Sequence, residues 1–321
     1  MTDQISVVVP VYNEEHNIAL LYDRVVRVLN GMDLSYEIIF INDGSSDRSL
    51  EMIRQLSVRD TCVKFIDFSR NFGHQIAVSA GLDVCSGQHV VIIDSDLQDP
   101  PELITDLLNR KREGFEVVYA KRRSRQGESV LKKATARSFY RLLQRITNVP
   151  IPVDTGDFRI IDRSVVEVLK QMPEQEKFLR GQIAWAGFRQ TYIEYDRDSR
   201  NAGKTGYTFR KMFRLALDGI TGFSNLPLKF ATIAGFLVSG IAFLMALYAL
   251  YSRFIIKEYV PGWTSLMLTI LFLGGVQLIS IGIIGEYISR LGNNIRKRPL
   301  YVVSDTNIST FSSSALGKQE H

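Results

Sequence analysis

His89-Val90-Val91-Ile92-Ile93-Asp94-Ser95-Asp96-Leu97-Gln98-Asp99-Pro100-Pro101 is the stretch that decides the fold. Its first five residues are a β-rich run, and a polar turn follows at once. In extended backbone, alternate side chains share a direction, so Asp94 and Asp96 face the same way. Both carboxylates could face one cation, or one could bind it and the other a ribose. Hard oxygen donors suit Mg2+ or Mn2+, which bridge phosphates, and Gln98 offers a further neutral oxygen. Asp99, directly before Pro100-Pro101, is placed to cap the next helix, whereas Asp94 and Asp96 lie too early for that job.

The same rhythm extends toward both ends of this stretch. Ile5–Val9, Glu37–Ile41, Val63–Phe68 and Val117–Ala120 are further β-rich runs. Amphipathic stretches separate them: Glu15–Asn30, Asp47–Gln55, Gln75–Val84 and Pro101–Gly114. Such alternation predicts βαβ units around a mainly parallel sheet, an α/β fold. Sheets of this kind bind ligands at the carboxyl ends of their strands. Four polar clusters fall there: Pro10–Glu14, Asn42–Asp47, Ser69–Gln75 and Asp94–Asp99. Asp43 is a candidate acceptor for a base or ribose hydroxyl, while Gly44, Ser46 and Asp47 read as turn and cap chemistry.

The second half is less regular. Ser129–Thr147, Arg163–Met172 and Lys177–Ala186 predict helices, and Gln190–Tyr195 a strand. Asp154–Arg159 reads as a glycine-containing turn before Ile160, with two carboxylates and an arginine. One of the carboxylates could orient an acceptor or take its proton. Lys121, Arg122, Arg123 and Arg125 form a basic run, continued by Lys132, Lys133, Arg137, Arg141 and Arg145. A solvated face or a phosphate site both fit it. No GxGxxG follows the first strand, and Gly203-Lys204-Thr205 lacks the first glycine of a P-loop, because residue 198 is Asp198.

Composition narrows the class. The 321 residues are 45% hydrophobic and 23% charged, which suits a folded chain. Net charge is +5, favouring phosphates or anionic lipid, with no nucleic-acid-binding signature. Cys62 and Cys85 are too few for a disulfide framework. No secretory signal is expected at the start. Residues 230–251 and 264–285 are uncharged and long enough to cross a bilayer. Lys204, Arg210, Lys211, Arg214 and Lys229 precede them; Arg290, Arg296, Lys297 and Arg298 follow. The positive-inside rule puts both flanks in the cytoplasm. Residues 208–220 predict a basic amphipathic helix lying in the interface. The Ser- and Thr-rich tail after Tyr301 is expected to be mobile, and the Asn307-Ile308-Ser309 sequon silent. The expected domains are 1–205 (catalytic), 206–228 (interfacial helix), 229–289 (two spans, about 230–251 and 264–287) and 290–321 (cytoplasmic tail).

Together these motifs carry a family likeness. Pro10-Val11-Tyr12-Asn13-Glu14, Asn42 to Asp47, Ser69 to Gln75, Asp94 to Pro101, Asp154 to Arg159 and the paired spans resemble glycosyltransferase family 2. Within it, the chain looks like the polyisoprenyl-phosphate glycosyltransferases, a dolichol-phosphate mannosyltransferase-like group, and most closely the bacterial GtrB-type bactoprenol glucosyltransferases. The likeness runs to about Tyr301. It implies a Rossmann-like GT-A fold followed by a transmembrane hairpin, a UDP-sugar donor, Mg2+ or Mn2+, and inversion at the anomeric carbon. It puts Pro10, Tyr12, Glu14, Asp43, Arg70, Gln75, Asp94 and Ser95 on the donor side. Asp94, Asp96 and Gln98 fall at the metal, and Asp157 with Asp96 at the reacting centre. Arg122, Lys133, Arg137, Arg159, Arg200 and Lys204 are the expected acceptor-phosphate groups. The implied reaction is transfer of a hexose, glucose first, to polyprenyl phosphate by an integral membrane protein, with self-association open. Mannose, GlcNAc or aminoarabinose donors are the alternatives, and a non-catalytic nucleotide-binding membrane scaffold is the reading outside enzymes. The QxxRW motif of processive synthases is absent; Gln182 to Trp185 is a partial echo.

Overall fold

The computed structural model describes residues 4–123, 155–196, 226–251, 255, 262–296 and 298–309. The expected helices over 129–147 and 208–220 lie outside the described residues, as do Lys133, Arg137, Arg200 and Lys204.

Strand and helix alternate as the sequence rhythm predicts. The order is β1 (Gln4–Val11), α1 (Ile18–Asn30), β2 (Ser35–Asn42), α2 (Ser49–Arg59), β3 (Val63–Phe68), α3 (His74–Val84), β4 (His89–Ile92), α4 (Leu103–Arg112) and β5 (Val117–Arg122). Then come β6 (Thr155–Asp162), α5 (Arg163–Gln171), α6 (Leu179–Trp185) and β7 (Gln190–Tyr195). Two long helices follow, α7 (Leu226–Tyr251) and α8 (Trp263–Ile295), and then a last strand, β8 (Val303–Thr306).

The eight strands form one sheet in the order β7-β5-β6-β4-β1-β2-β3-β8. The pairs β1–β2, β1–β4, β2–β3 and β5–β7 are parallel. β6 and β8 run antiparallel to their neighbours. Side chains alternate across the pleat and feed two cores. On one face Val7, Val9, Phe40 and Val91 meet Ile18, Leu21 and Val25 of α1, Ile53 of α2 and Ile104 of α4. On the other, Val8, Ile39, Ile41 and Ile92 meet Ala77 and Val78 of α3, Val165 of α5 and Ile183 of α6. Helix α3 lies close enough that a Cβ on Gly81 would stand 2.4 Å from Val8 Cγ1.

Three expectations change. The segment from Thr155 to Arg159 is the first part of β6, a strand rather than a turn. Thr-Gly-Asp has turn chemistry locally, but β6 fills the gap between β4 and β5 and pairs with both, and tertiary pairing overrides weak strand propensity. The segment after Tyr301 also joins the sheet: β8 covers the edge of β3, and the Asn307 amide accepts from Phe65 N and donates to Val63 O. Asp99 does not cap α4, whose N-cap is Glu102 with no side-chain cap bond. Asp99 is drawn inward instead, as described below.

The described residues fall into two compact units. One is the sheet with its helices, including the residues from 298 onward. The other contains α7 and α8, two helices long and apolar enough by length and composition to cross a membrane. Large apolar side chains on both, such as Phe236 and Leu278, are exposed.

Far from the polar sheet edge, one buried charge ties three strands together. Glu37 of β2 accepts from Ser6 Oγ at 2.6 Å, Ser86 N at 2.7 Å and Lys64 Nζ at 2.5 Å. Burial alone would raise its pKa, but these donors outweigh burial and hold it below the ordinary carboxylate value. The charge therefore stabilises the fold above the unfolded-chain value of about 4.3, and that contribution fades as pH falls through the lower folded value. Glu37→Gln should cost about 2 kcal/mol at pH 7, read as a lower melting temperature, with the deficit narrowing below about pH 4. An equal deficit at both pH values contradicts this account.

Candidate active site

Asp94 leaves the carboxyl end of β4 and meets Asp157, which β6 brings from the other half of the chain. The ladder pairs Ile92 with Arg159. Continuing that antiparallel register by two residues sets Asp94 across from Asp157. His74, the first residue of α3, stands between them. Its Nε2 is 3.2 Å from Asp157 Oδ2 and 3.6 Å from Asp94 Oδ1. One ligand atom from each of the three lies within 4.8 Å of the other two.

The charges explain why this cluster holds together. Arg159, 1% exposed, reaches Asp157 Oδ1 at 2.5 Å and donates from Nε to the Asp157 carbonyl at 3.0 Å. Arg180 of α6 adds a guanidinium 3.6 Å from the same Oδ1. Burial opposes charge on Asp157, but His74, Arg159 and Arg180 outweigh burial and hold its pKa far below the usual range. Asp94 has less support: burial, with the nearby carboxylates, pushes it up to about 6 despite His74. For His74, desolvation is outweighed by Asp94 and Asp157, and its pKa rises to about 9. Asp94 Oδ1 is buried and accepts no hydrogen bond. A buried anionic acceptor of this kind, beside a second carboxylate and an imidazole, fits a divalent cation.

The turn after β4 is shaped for this edge. Leu97 adopts φ 58°, strained for a side chain of its size. Asp96 Oδ1 accepts from Gln98 N at 3.1 Å, and Ser95 Oγ donates to the Pro10 carbonyl at 2.9 Å. Asp96 and Gln98 thus sit on the turn, while the cluster that closes is His74, Asp94 and Asp157. Asp99 accepts from Tyr195 Oη and lies 3.6 Å from the Arg122 guanidinium, linking this turn to β5 and β7. Gly156 keeps that link open, since a Cβ there would stand 3.3 Å from Arg122.

The other expected donor-side residues line the same edge with mixed roles. Asp43 is buried, accepting from Phe72 N at 2.6 Å and Gly73 N at 3.0 Å, so it anchors the loop that leads into His74. Gly44, at φ 65°, allows that loop to approach: a Cβ would stand 2.5 Å from Arg70 C. Asn13 and Ser45 cross-link the first two loops, Glu14 accepts from Asn17, and Tyr12 is exposed. The Arg70 guanidinium lies 3.9 Å from the Phe72 ring centroid, and Gln75 accepts from Leu179 N.

Three residues outside the expected set enter the site: His74, Arg180 and Tyr195. His74 stood inside the Ser69–Gln75 cluster, where a histidine after Gly73 at a helix start was the available signal. Arg180 and Tyr195 have no local motif.

Residues 6–170 match the model of glycosyl transferase family 2. The chain belongs to glycosyltransferase family 2. Residues 226–291 match the GtrB C-terminal hairpin. An uncharacterized glycosyltransferase of Bacillus subtilis, YkcC, is 50% identical over 300 residues, covering 94% of this chain and 93% of that one. A prophage bactoprenol glucosyl transferase homolog of Escherichia coli is 42% identical over 300 residues, covering 94% and 98%. Among solved structures, glucosyl-3-phosphoglycerate synthase from Mycobacterium tuberculosis in complex with UDP gives a TM-score of 0.48 at 21% identity, covering 68% of this chain and 78% of that one. The family 2 match spans β1 to α5 and so includes His74, Asp94 and Asp157.

The raised His74 value gives a direct check. Its protonated form contributes stability that is complete below about 6.5 and is lost as pH rises through about 9. In metal-free protein, the His74 ring should titrate by NMR with a midpoint about 9, and Asp157→Asn should bring it toward the ordinary range. Midpoints near 6.5 in both proteins contradict the cluster's electrostatics.

Proposed function

We propose that this glycosyltransferase moves a hexose, glucose from UDP-glucose, onto polyprenyl phosphate at the cytoplasmic face of a membrane, with inversion at the anomeric carbon. The observation that carries the reading is the buried Asp94 oxygen that accepts no hydrogen bond, beside Asp157 and His74, in a chain whose hairpin matches that of GtrB. The relatives named bactoprenol glucosyl transferase supply the acceptor class.

The connectivity supports the membrane part. β7 precedes the hairpin and β8 follows it in one sheet. A chain that enters a bilayer through α7 must therefore return through α8 to the side it left. The basic residues at both flanks favour the cytoplasm as that side.

Asp94, Asp96 and Gln98 would hold Mg2+ or Mn2+ from the strand end; His74, once it gives up its proton, and Asp157 would offer a second donor set sharing Asp94. When bound, the ion neutralises charge on the departing nucleoside diphosphate. The chain's own residues then have three tasks. Pro10, Tyr12, Glu14, Asp43, Arg70 and Gln75 form the donor-side wall. Arg122, steadied by Asp99, is assigned to the acceptor phosphate; Lys133, Arg137, Arg200 and Lys204, outside the described residues, carry the same assignment from the sequence alone. Arg159 and Arg180 act through Asp157, fixing its carboxylate. A carboxylate held so acidic is a poor base. A phosphate monoester, with its second pKa near ~6, needs none at neutral pH, so Asp157 orients the acceptor.

A panel of nucleotide sugars offered with polyprenyl phosphate to the full-length protein in membranes tests the reading. UDP-glucose should give a chloroform-soluble, mild-acid-labile product. A product from a mannose, GlcNAc or aminoarabinose donor alone would replace the sugar. The absence of any lipid product would end the assignment of a polyprenyl phosphate acceptor.

A further inference from the structure

The residues that lead into β8, Tyr301 and Val302, are tied to the loop that carries His74. Val302 O accepts from Ser69 N at 3.0 Å, where β3 gives way to that loop. The Tyr301 ring stacks on Phe68 with centroids 5.0 Å apart. Phe68 in turn meets Phe72 edge-on at 5.5 Å. Phe72 N and Gly73 N are the donors that Asp43 clamps, and His74 is the next residue. On the other side, Tyr301 Oη donates to Asp83 Oδ2 of α3, the helix that His74 begins, at 3.0 Å. Tyr301 therefore braces both the approach to His74 and the helix that bears it. Five residues separate it in sequence from Ile295, the end of α8.

We propose that Tyr301 is a positioning residue for the reaction: its ring, acting through Phe68 and Phe72, sets the loop that places His74 against Asp94 and Asp157. This rests on the proposed transfer being carried out at that cluster. Packing, rather than the hydroxyl bond, carries the effect, because the stacked ring reaches the loop through Phe68 and Phe72, whereas the hydroxyl bonds Asp83 farther along α3.

Asn307 gives the control. It bonds β3 at Phe65 N and Val63 O, away from the loop, so Asn307→Ala loosens β8 without touching the Phe68–Phe72 contact. In full-length protein, Tyr301→Ala should lower kcat about 10-fold or more with the donor KM changed by less than about 3-fold. Tyr301→Phe should restore kcat to within about 2-fold of the parent, and Asn307→Ala should leave it there. Amide exchange, which needs no turnover, should rise at residues 69–75 in Tyr301→Ala and stay at the parent level there in Asn307→Ala. Equal kcat losses in Tyr301→Ala and Asn307→Ala, or unchanged exchange at 69–75 in Tyr301→Ala, would overturn the proposal. A parent protein that transfers no sugar would instead overturn the proposed function, and the exchange result would still judge the brace.

Discussion

Two carboxylates, Asp94 and Asp157, are forced together by an antiparallel ladder, and most of the site is organised around that enforced proximity. β6 runs between β4 and β5, so a residue about sixty positions downstream arrives beside the end of a central strand. Like charges at short range and partly out of water repel strongly. The protein answers with His74 between them and with Arg159 and Arg180 behind Asp157. The result is asymmetric: Asp157 is saturated with cationic partners, while Asp94 keeps a buried oxygen with no hydrogen bond. Asp157 is thus held in place by its partners, and Asp94 keeps the acceptor oxygen on which the proposed metal role rests.

The surrounding loops serve to hold that geometry. Asp43 could have faced a ligand alone, yet it clamps two backbone amides of the His74 loop. Ser95 pins the β4 turn to the β1 edge, and Asp99 pins it to β5 and β7 through Arg122 and Tyr195. Polar side chains buried at a sheet edge must find partners, and here the partners are the neighbouring loops. These bonds cross-link the loops along the carboxyl edge, which suits the proposed reaction, in which two phosphates are placed relative to one sugar carbon.

Much of this was legible in the sequence, and the limits were physical. The β-rich runs from Ile5 to Ala120 have strong periodicity and short turns, so their order and type read directly. Asp94 and Asp96 were visible because a strand end and alternate spacing are local features. β6 was not visible. Thr155-Gly156-Asp157 carries turn chemistry, and its strand exists because β4 and β5 leave a gap for it. The pairing of Asp157 with Asp94, and the entry of Arg180 and Tyr195, are consequences of that gap and have no local signature. β8 was missed for the same reason: Val303 to Thr306 is short and polar, and only the exposed edge of β3 recruits it. The long apolar helices were legible by length alone, because a bilayer sets that length.

In the proposed function, Asp94, whose buried oxygen accepts no hydrogen bond, anchors a divalent cation that nucleoside diphosphate binding reinforces. Mn2+ binding to the full-length protein, followed by electron paramagnetic resonance with and without UDP, tests it most directly. One bound Mn2+ that tightens on adding UDP and is lost in Asp94→Asn is the expected result. Mn2+ bound equally well by Asp94→Asn, with the same response to UDP, would contradict it.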